Sequence, residues 1–460
     1  MNELCEKLGL DEAIDTNIGA RSKNAATTYK DSAYIKSLVL MQAIGGETVD
    51  DLSLIRSDPV IREMVGPIPG RTSFHNYLSS FVDEQVEEQR GAGRSFVPEK
   101  SPYLAGFDKV TKHLLSRVGS FRTIETVTLD QDATYIPTCV SGSLYNYKSE
   151  RSFQAFNTYC PEYDMMLSSE FRDGNVTPGY RQLENLVDTL DLLPESVRNV
   201  RLRSDTAGYQ TDLIKYCATG CNERFGKIEF AVGAPVRKEL QEAVKKTKES
   251  DWKPVSGDSR QMCAEFAFAP NSLSFSKNGP DYRFIAIREE LKLGTEQEIA
   301  LQRLLFDDED MSDSPLRSLH PTSLHGKVYK IFAIITNLTW PPRKIVDWYH
   351  GRCGKSEEIH RVLKDELAGG HVVTSALGAN AAWWQIAVLS GNILSLMKRL
   401  CLPSSYRSAR PKKLRFWLFS FVARLSSHAR KRMFVVYRSH ASRLFCMAWD
   451  VLAGFRCQLE

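Results

Sequence analysis

Between Tyr349 and Lys364 the chain reads YHGRCGKSEEIHRVLK, a short segment that holds a phenol, a guanidinium, carboxylates and an ammonium. Glu357 and Lys364 are seven residues apart, about 700° of rotation at 3.6 residues per turn, so on a helix they share a face. Tyr349 and Arg352, three apart, share one too. A solvated amphipathic helix with Glu–Lys neighbours would look similar, so the reading depends on acids elsewhere. Two strand ends upstream supply them: TVTLDQD, ending in Asp132, and VRLRSD, ending in Asp205. Three carboxylates from distant parts of a chain are what a pair of hard divalent cations needs.

The elements that must position these residues can be read around them. A strand-like run, Val328 to Asn337, ends in Trp340-Pro341-Pro342, which suits a helix start, and Gly369-Gly370 stop that helix. A strand from Ile124 to Leu129 delivers Asp130 and Asp132, and alternation puts both on one face. Short aromatic-rich runs after it read as a meander, followed by a helix over Tyr180 to Leu190 and a strand over Val197 to Leu202. Strand–helix–strand order calls for parallel pairing, and ligands gather at strand C-termini in open α/β sheets. Asp205 lies at such an end, in a Ser-Asp-Thr-Ala-Gly turn where it could equally cap the next helix.

At these residues the sequence resembles the DDE transposases of bacterial insertion sequences, in the branch with a Tyr-x2-Arg-x3-Glu-x6-Lys signature, and most closely the group called insertion sequence thirteen-eighty. The resemblance runs from about Asp51 to Leu400. It implies Asp132, Asp205 and Glu357 as the catalytic acids holding two Mg2+ ions (Mn2+ may substitute), with Asp130 as the alternative to Asp132. It implies Tyr349, Arg352 and Lys364 as DNA contacts. The partners it implies are duplex DNA with terminal inverted repeats and target DNA, engaged by a homodimer, with hairpin formation on the excised end. A hairpin needs a flipped base stacked on an aromatic ring, for which Trp252 and Trp340 are candidates; either is equally a packing residue. A DNA-binding protein without catalysis and a structure-specific nuclease of the same fold are the other readings.

One departure from the family pattern has structural consequences. Four residues, Cys353 to Ser356, separate Arg352 from Glu357, where the signature has three. On a straight helix the extra residue turns Glu357 and Lys364 about 100° away from the face of Tyr349 and Arg352. Gly351 and Gly354 stand there, so a break or a π-bulge is expected. Ser356 takes the strict-register position, and Glu358 is the rival carboxylate.

The fold class expected is α/β: an RNase H-like core, a mixed sheet flanked by helices, interrupted by a β-rich insertion and preceded by a helical domain. The divisions are 1–115, helical and DNA-binding; 116–226, the first part of the core; 227–325, the insertion; 326–400, the second part of the core; and 401–460, a basic helical region. The net charge of +4 is too small to argue for nucleic acid, but Arg407, Arg410, Lys412, Lys413, Arg415 and further cations crowd the last segment almost unopposed. The ten cysteines are scattered without a zinc pattern, which fits reduced thiols inside a cell. The N-terminus has no apolar core of the signal-peptide kind, and the most apolar run, Ala379 to Met397, carries too many polar residues for a membrane span. A cytoplasmic, nucleoid-associated bacterial protein is the expectation.

Overall fold

The computed structural model describes residues 1–21, 29–91, 95–121, 123–255, 258–270, 273, 282–291, 321–324, 327–419, 423–428, 431–436 and 439–454. Its organising strand is β1 (Thr126–Pro137), buried over Val127 to Gln131 as a strand flanked on both edges must be. On one edge β1 runs antiparallel to β3 (Arg151–Cys160), which in turn carries β4 (Met165–Asp173) and the short β2 (Leu144–Tyr145). On the other edge β1 pairs in parallel with β5 (Asn199–Ser204), and β5 with β6 (Glu229–Ala234). The amphipathic helix Gln182–Leu190 connects β4 to β5, and Thr211–Thr219 connects β5 to β6, as parallel strands require.

The sheet does not end at β6. β11 (Lys327–Thr336) lies antiparallel to it, followed by β9 (Arg283–Glu290), β8 (Asp258–Phe266) and β7 (Lys253–Val255), with β10 (Pro321–Leu324) also paired to β11. β6 thus falls inside the stretch 227–325 expected to be the insertion, yet it continues the parallel run from β5. Its sequence explains this: Phe230, Ala231 and Val232 are apolar and buried on both faces, the habit of a central parallel strand.

Helix Leu377–Leu400 is apolar around most of its circumference and almost wholly buried, which marks a helix enclosed by other elements. It packs between β4 and helix Asp31–Ile44. Polar side chains fix it on both sides. Asn392 accepts from the Met166 amide and donates to the Met166 carbonyl, both at 2.8 Å; Trp384 donates to Ser169 Oγ at 2.6 Å; Ser390 donates to Gln42 Oε1 at 2.8 Å. Among the described residues no helix is long and apolar enough to cross a membrane. The basic C-terminal segment, expected to be helical, instead contains an antiparallel hairpin of β12 (Ala423–His428) and β13 (Lys431–Val436) before helix His440–Gly454. The run Met433-Phe434-Val435-Val436 favours an extended chain over a helix.

Candidate active site

Asp130 and Asp132 leave β1 on one face, and the sheet register gives them different neighbours. Arg203 lies beside Asp130 in the parallel pairing of β1 with β5. Its guanidinium forks onto Asp130 at 2.6 and 2.7 Å, while its third arm donates to the Trp348 carbonyl and its plane sits 5.0 Å from the Trp348 ring. Burial pushes the Asp130 carboxyl up, with Arg203 opposing. Asp130 is therefore committed to an ion pair that ties β1, β5 and the helix of Tyr349 together.

Asp132, two residues on, stands at the edge of this packing with its side chain 21 % exposed. Its Oδ1 accepts from the Ala133 amide at 3.0 Å and its Oδ2 lies 3.5 Å from Arg352 Nη2. Burial raises its carboxyl to about 6; the Arg352 charge works against the rise, and the Asp205 and Glu357 charges add to it. Asp205 accepts from the Ala207 amide at 3.0 Å and so caps the one-turn helix Thr206–Gly208. It is an N-cap and a neighbour of Asp132 at once.

The segment carrying the signature is broken where the spacing predicts. Helix Pro342–His350 ends in a turn over 351–354, Gly354 takes φ +75°, and a second helix, Lys355–Arg361, starts after it. A π-helical turn, Val362–Glu366, follows. The break buries Ser356 and leaves Glu357 exposed on the side whose charge reaches Asp132. Glu358 points elsewhere, into a cavity that it shares with Lys398 and Arg407.

The other signature residues line the ends of β1 and β5. Tyr349 donates to the Ser204 carbonyl at 3.2 Å, and burial pushes its phenol up to about 12. Burial works against the Arg352 charge, but Asp132, Tyr349, Asp205 and Asp130 together hold its pKa above the ordinary value. The Arg352 Nε is buried without a partner. Lys364 sits farther along β1, where it donates to the Tyr135 carbonyl at 3.2 Å, and burial lowers its pKa. Of the two tryptophans, Trp252 is buried under Arg288, whose guanidinium is 4.4 Å from its ring. Trp340 is half-buried between Arg201 and Lys344, at 4.7 and 4.4 Å.

Among the described residues no three acidic, His or Cys side chains stand close enough to hold a metal ion. The donor chemistry nonetheless fits a divalent cation. A desolvated carboxylate raised further by two like charges is a site that added positive charge relieves, and Arg352 supplies part of that charge at Asp132.

Sequence reading passed over Arg203 and Gln182. Gln182 lies behind the acids and donates to Gln131 Oε1 at 3.0 Å and Ser204 Oγ at 2.8 Å, bridging β1 to β5. The signal for Arg203 was present: an arginine inside a strand, next to the buried Leu202, must find a buried partner, and Asp130 is the acid at the matching register.

Residues 1–453 match the family described as transposase DDE domain group 1. Among solved structures, the cryo-EM structure of the piggyBac transposase synaptic complex with hairpin DNA is similar at 14% identity and a TM-score of 0.43, covering 100% of this chain and 82% of that one. That likeness is too remote to bear on the site. No curated protein matches the chain. The family match spans nearly the whole length, so this chain belongs to the DDE transposases and is a DDE-type DNA transposase.

Proposed function

We propose that the protein excises and reinserts an insertion sequence by cut-and-paste transposition, with Asp132, Asp205 and Glu357 as the acids that hold two Mg2+ ions. The observation that carries this reading is the environment of Asp132, whose carboxyl is raised by burial and by the Asp205 and Glu357 charges together. Bound divalent metal would supply an activated water or DNA 3′-hydroxyl and stabilise the leaving oxygen. Arg352 holds Asp132 in place, and in this reading its guanidinium meets a phosphate of the element's end. Tyr349 keeps its proton well above neutral pH and so serves as a hydrogen-bond donor. Lys364 meets the phosphate backbone farther along β1.

The strand order β4-β3-β1-β5-β6, three antiparallel strands followed by two parallel steps, supports an RNase H-like core, with the strands from β7 to β10 as an insertion between Asp205 and Glu357. The DNA partner is a duplex with terminal inverted repeats, bound by a homodimer because two ends must meet, and the element is a bacterial insertion sequence of the thirteen-eighty group. The test is an assay with Mg2+ and matched terminal-repeat DNA that reads both cleavage and strand transfer. Asp205→Ala should lose both while DNA binding persists. Cleavage retained by that variant would overturn the assignment, and cleavage without strand transfer by the wild type would make it a nuclease.

A further inference from the structure

Behind the Glu357 helix lies an open cavity of about 370 Å³. Its walls come from helix Lys355–Arg361, the end of helix Leu377–Leu400, the β3–β4 turn and the C-terminal segment from Arg407 to Leu414. Five basic side chains line it, Lys355, Lys398, Arg399, Arg407 and Arg410, against two acids.

One of those acids, Asp164, is already saturated. It accepts from Tyr159 Oη at 2.5 Å and Ser395 Oγ at 2.6 Å, with Lys398 at 3.6 Å and Arg399 at 3.8 Å. Arg410 is committed to Glu366, which also accepts from the Lys412 amide, while Arg415 donates to the Glu366, Gln42 and Ala43 carbonyls. These contacts anchor the C-terminal segment to the body. They leave Lys355 and Arg407 exposed and, among the described residues, without an ion pair.

The geometry points to this cavity as a seat for the DNA phosphodiester backbone that flanks the reacting phosphate. The inference rests on the transposase mechanism proposed above. Glu357 is exposed and stands outside the cavity, near enough to Asp132 for its charge to be felt there, whereas Lys355 and Glu358 of the same short helix line the cavity. A helix is about 10–12 Å across, and one DNA strand carries a phosphate about every 3.4 Å of axis, so the seat lies roughly three or four nucleotides from the scissile bond. Cations drawn from three separate elements suit an extended polyanion, and the two unpaired ones are free to replace its counterions.

The salt dependence of binding tests this, using the full-length protein. The probes are one duplex extending on both sides of the cleavage point and two duplexes each truncated at that point on one side. Lys355→Ala/Arg407→Ala should lower the slope of log affinity against log salt by about two on the long duplex. On one of the truncated duplexes it should match the wild type. Arg407→Lys should keep most of the wild-type slope, and unchanged thermal unfolding of all three proteins would exclude a folding defect. A wild-type slope for the double variant on the long duplex, with the wild type still cutting it, overturns this inference and leaves the transposase mechanism standing. So does an equal change on both truncated duplexes. Wild-type protein that neither binds nor cuts the long duplex overturns both.

Discussion

Two aspartates on the same face of β1 have been given opposite tasks, and each task predicts its own stability signature. Asp130 is buried in a fork with Arg203. Removing one partner of such a pair strands a charge, so Arg203→Met should cost about 3–5 kcal/mol in urea unfolding, and the double variant with Asp130→Leu should recover much of it. An Arg203→Met protein of wild-type stability would show that the pair is not holding the strands. Asp132 behaves differently. Its folded carboxyl titrates at about 6, above the unfolded value, so the native state holds that proton more tightly than the unfolded chain does. Stability is therefore fully present below the unfolded pKa of about 4 and is lost as pH rises through 6. In metal-free buffer Asp132→Asn should be more stable than the wild type at pH 8, by on the order of 2–3 kcal/mol, and should show no advantage at pH 4. Added divalent cation should narrow the gap by stabilising the wild type. A pH-independent difference between the two proteins would contradict this account of the site.

At the scale of elements, the break between the tyrosine helix and the glutamate helix does the positioning. Gly354 takes φ +75° with open space where a Cβ would project, so a side chain there is opposed by backbone conformation alone. Gly354→Ala should cost about 1 kcal/mol in thermal unfolding and lower cleavage far more than it lowers stability, because Glu357 is re-aimed. Equal cleavage by Gly354→Ala and wild type would mean that the turn does not set the direction of Glu357. The need for this break was legible in the sequence: one residue too many between Arg352 and Glu357, with Gly351 just before Arg352 and Gly354 inside the longer stretch. The two Asp-bearing strands and the crossover helix were legible too, since alternation and helical periodicity are local signals. What escaped depends on pairing between distant segments. Nothing local in Phe230-Ala231-Val232 says that β6 joins β5 in parallel, and the partnership of Arg203 with Asp130 exists only once the β1–β5 register is set. The hairpin of β12 and β13 is masked in the sequence by its charge, because Arg424 and Lys431 give the segment a basic character that outweighs its β-forming Val435-Val436 end.

Across the whole molecule, one buried hydrophobic cluster runs from Leu4 in the first helix to Leu452 in the last. The N-terminal helices contribute Tyr34, Leu38 and Met41 to it, and helix Leu377–Leu400 contributes Ile386, Ile393 and Leu396. The two regions are joined further by Ser390 on Gln42 and by the tight seating of Gly378, where a Cβ would come within 2.1 Å of the Phe81 carbonyl oxygen. The same central helix grips β4 through Asn392 and Trp384, so it carries the N-terminal helices and the sheet of the acids as one body. A region that shares its core with a distant helix cannot complete that core alone. An isolated fragment of residues 1–121 should therefore lack a cooperative unfolding transition, while the full chain should unfold in a single calorimetric step whose van't Hoff and calorimetric enthalpies agree. Substituting Asn392 by Leu tests the same coupling at one point. It leaves the buried Met166 amide and carbonyl unpartnered and should lower the single transition by about 2–4 kcal/mol without splitting it. Two resolved transitions in the wild type, or a fragment that melts cooperatively, would instead make the N-terminal helices an independent module that merely leans on the sheet carrying Asp132 and Asp205.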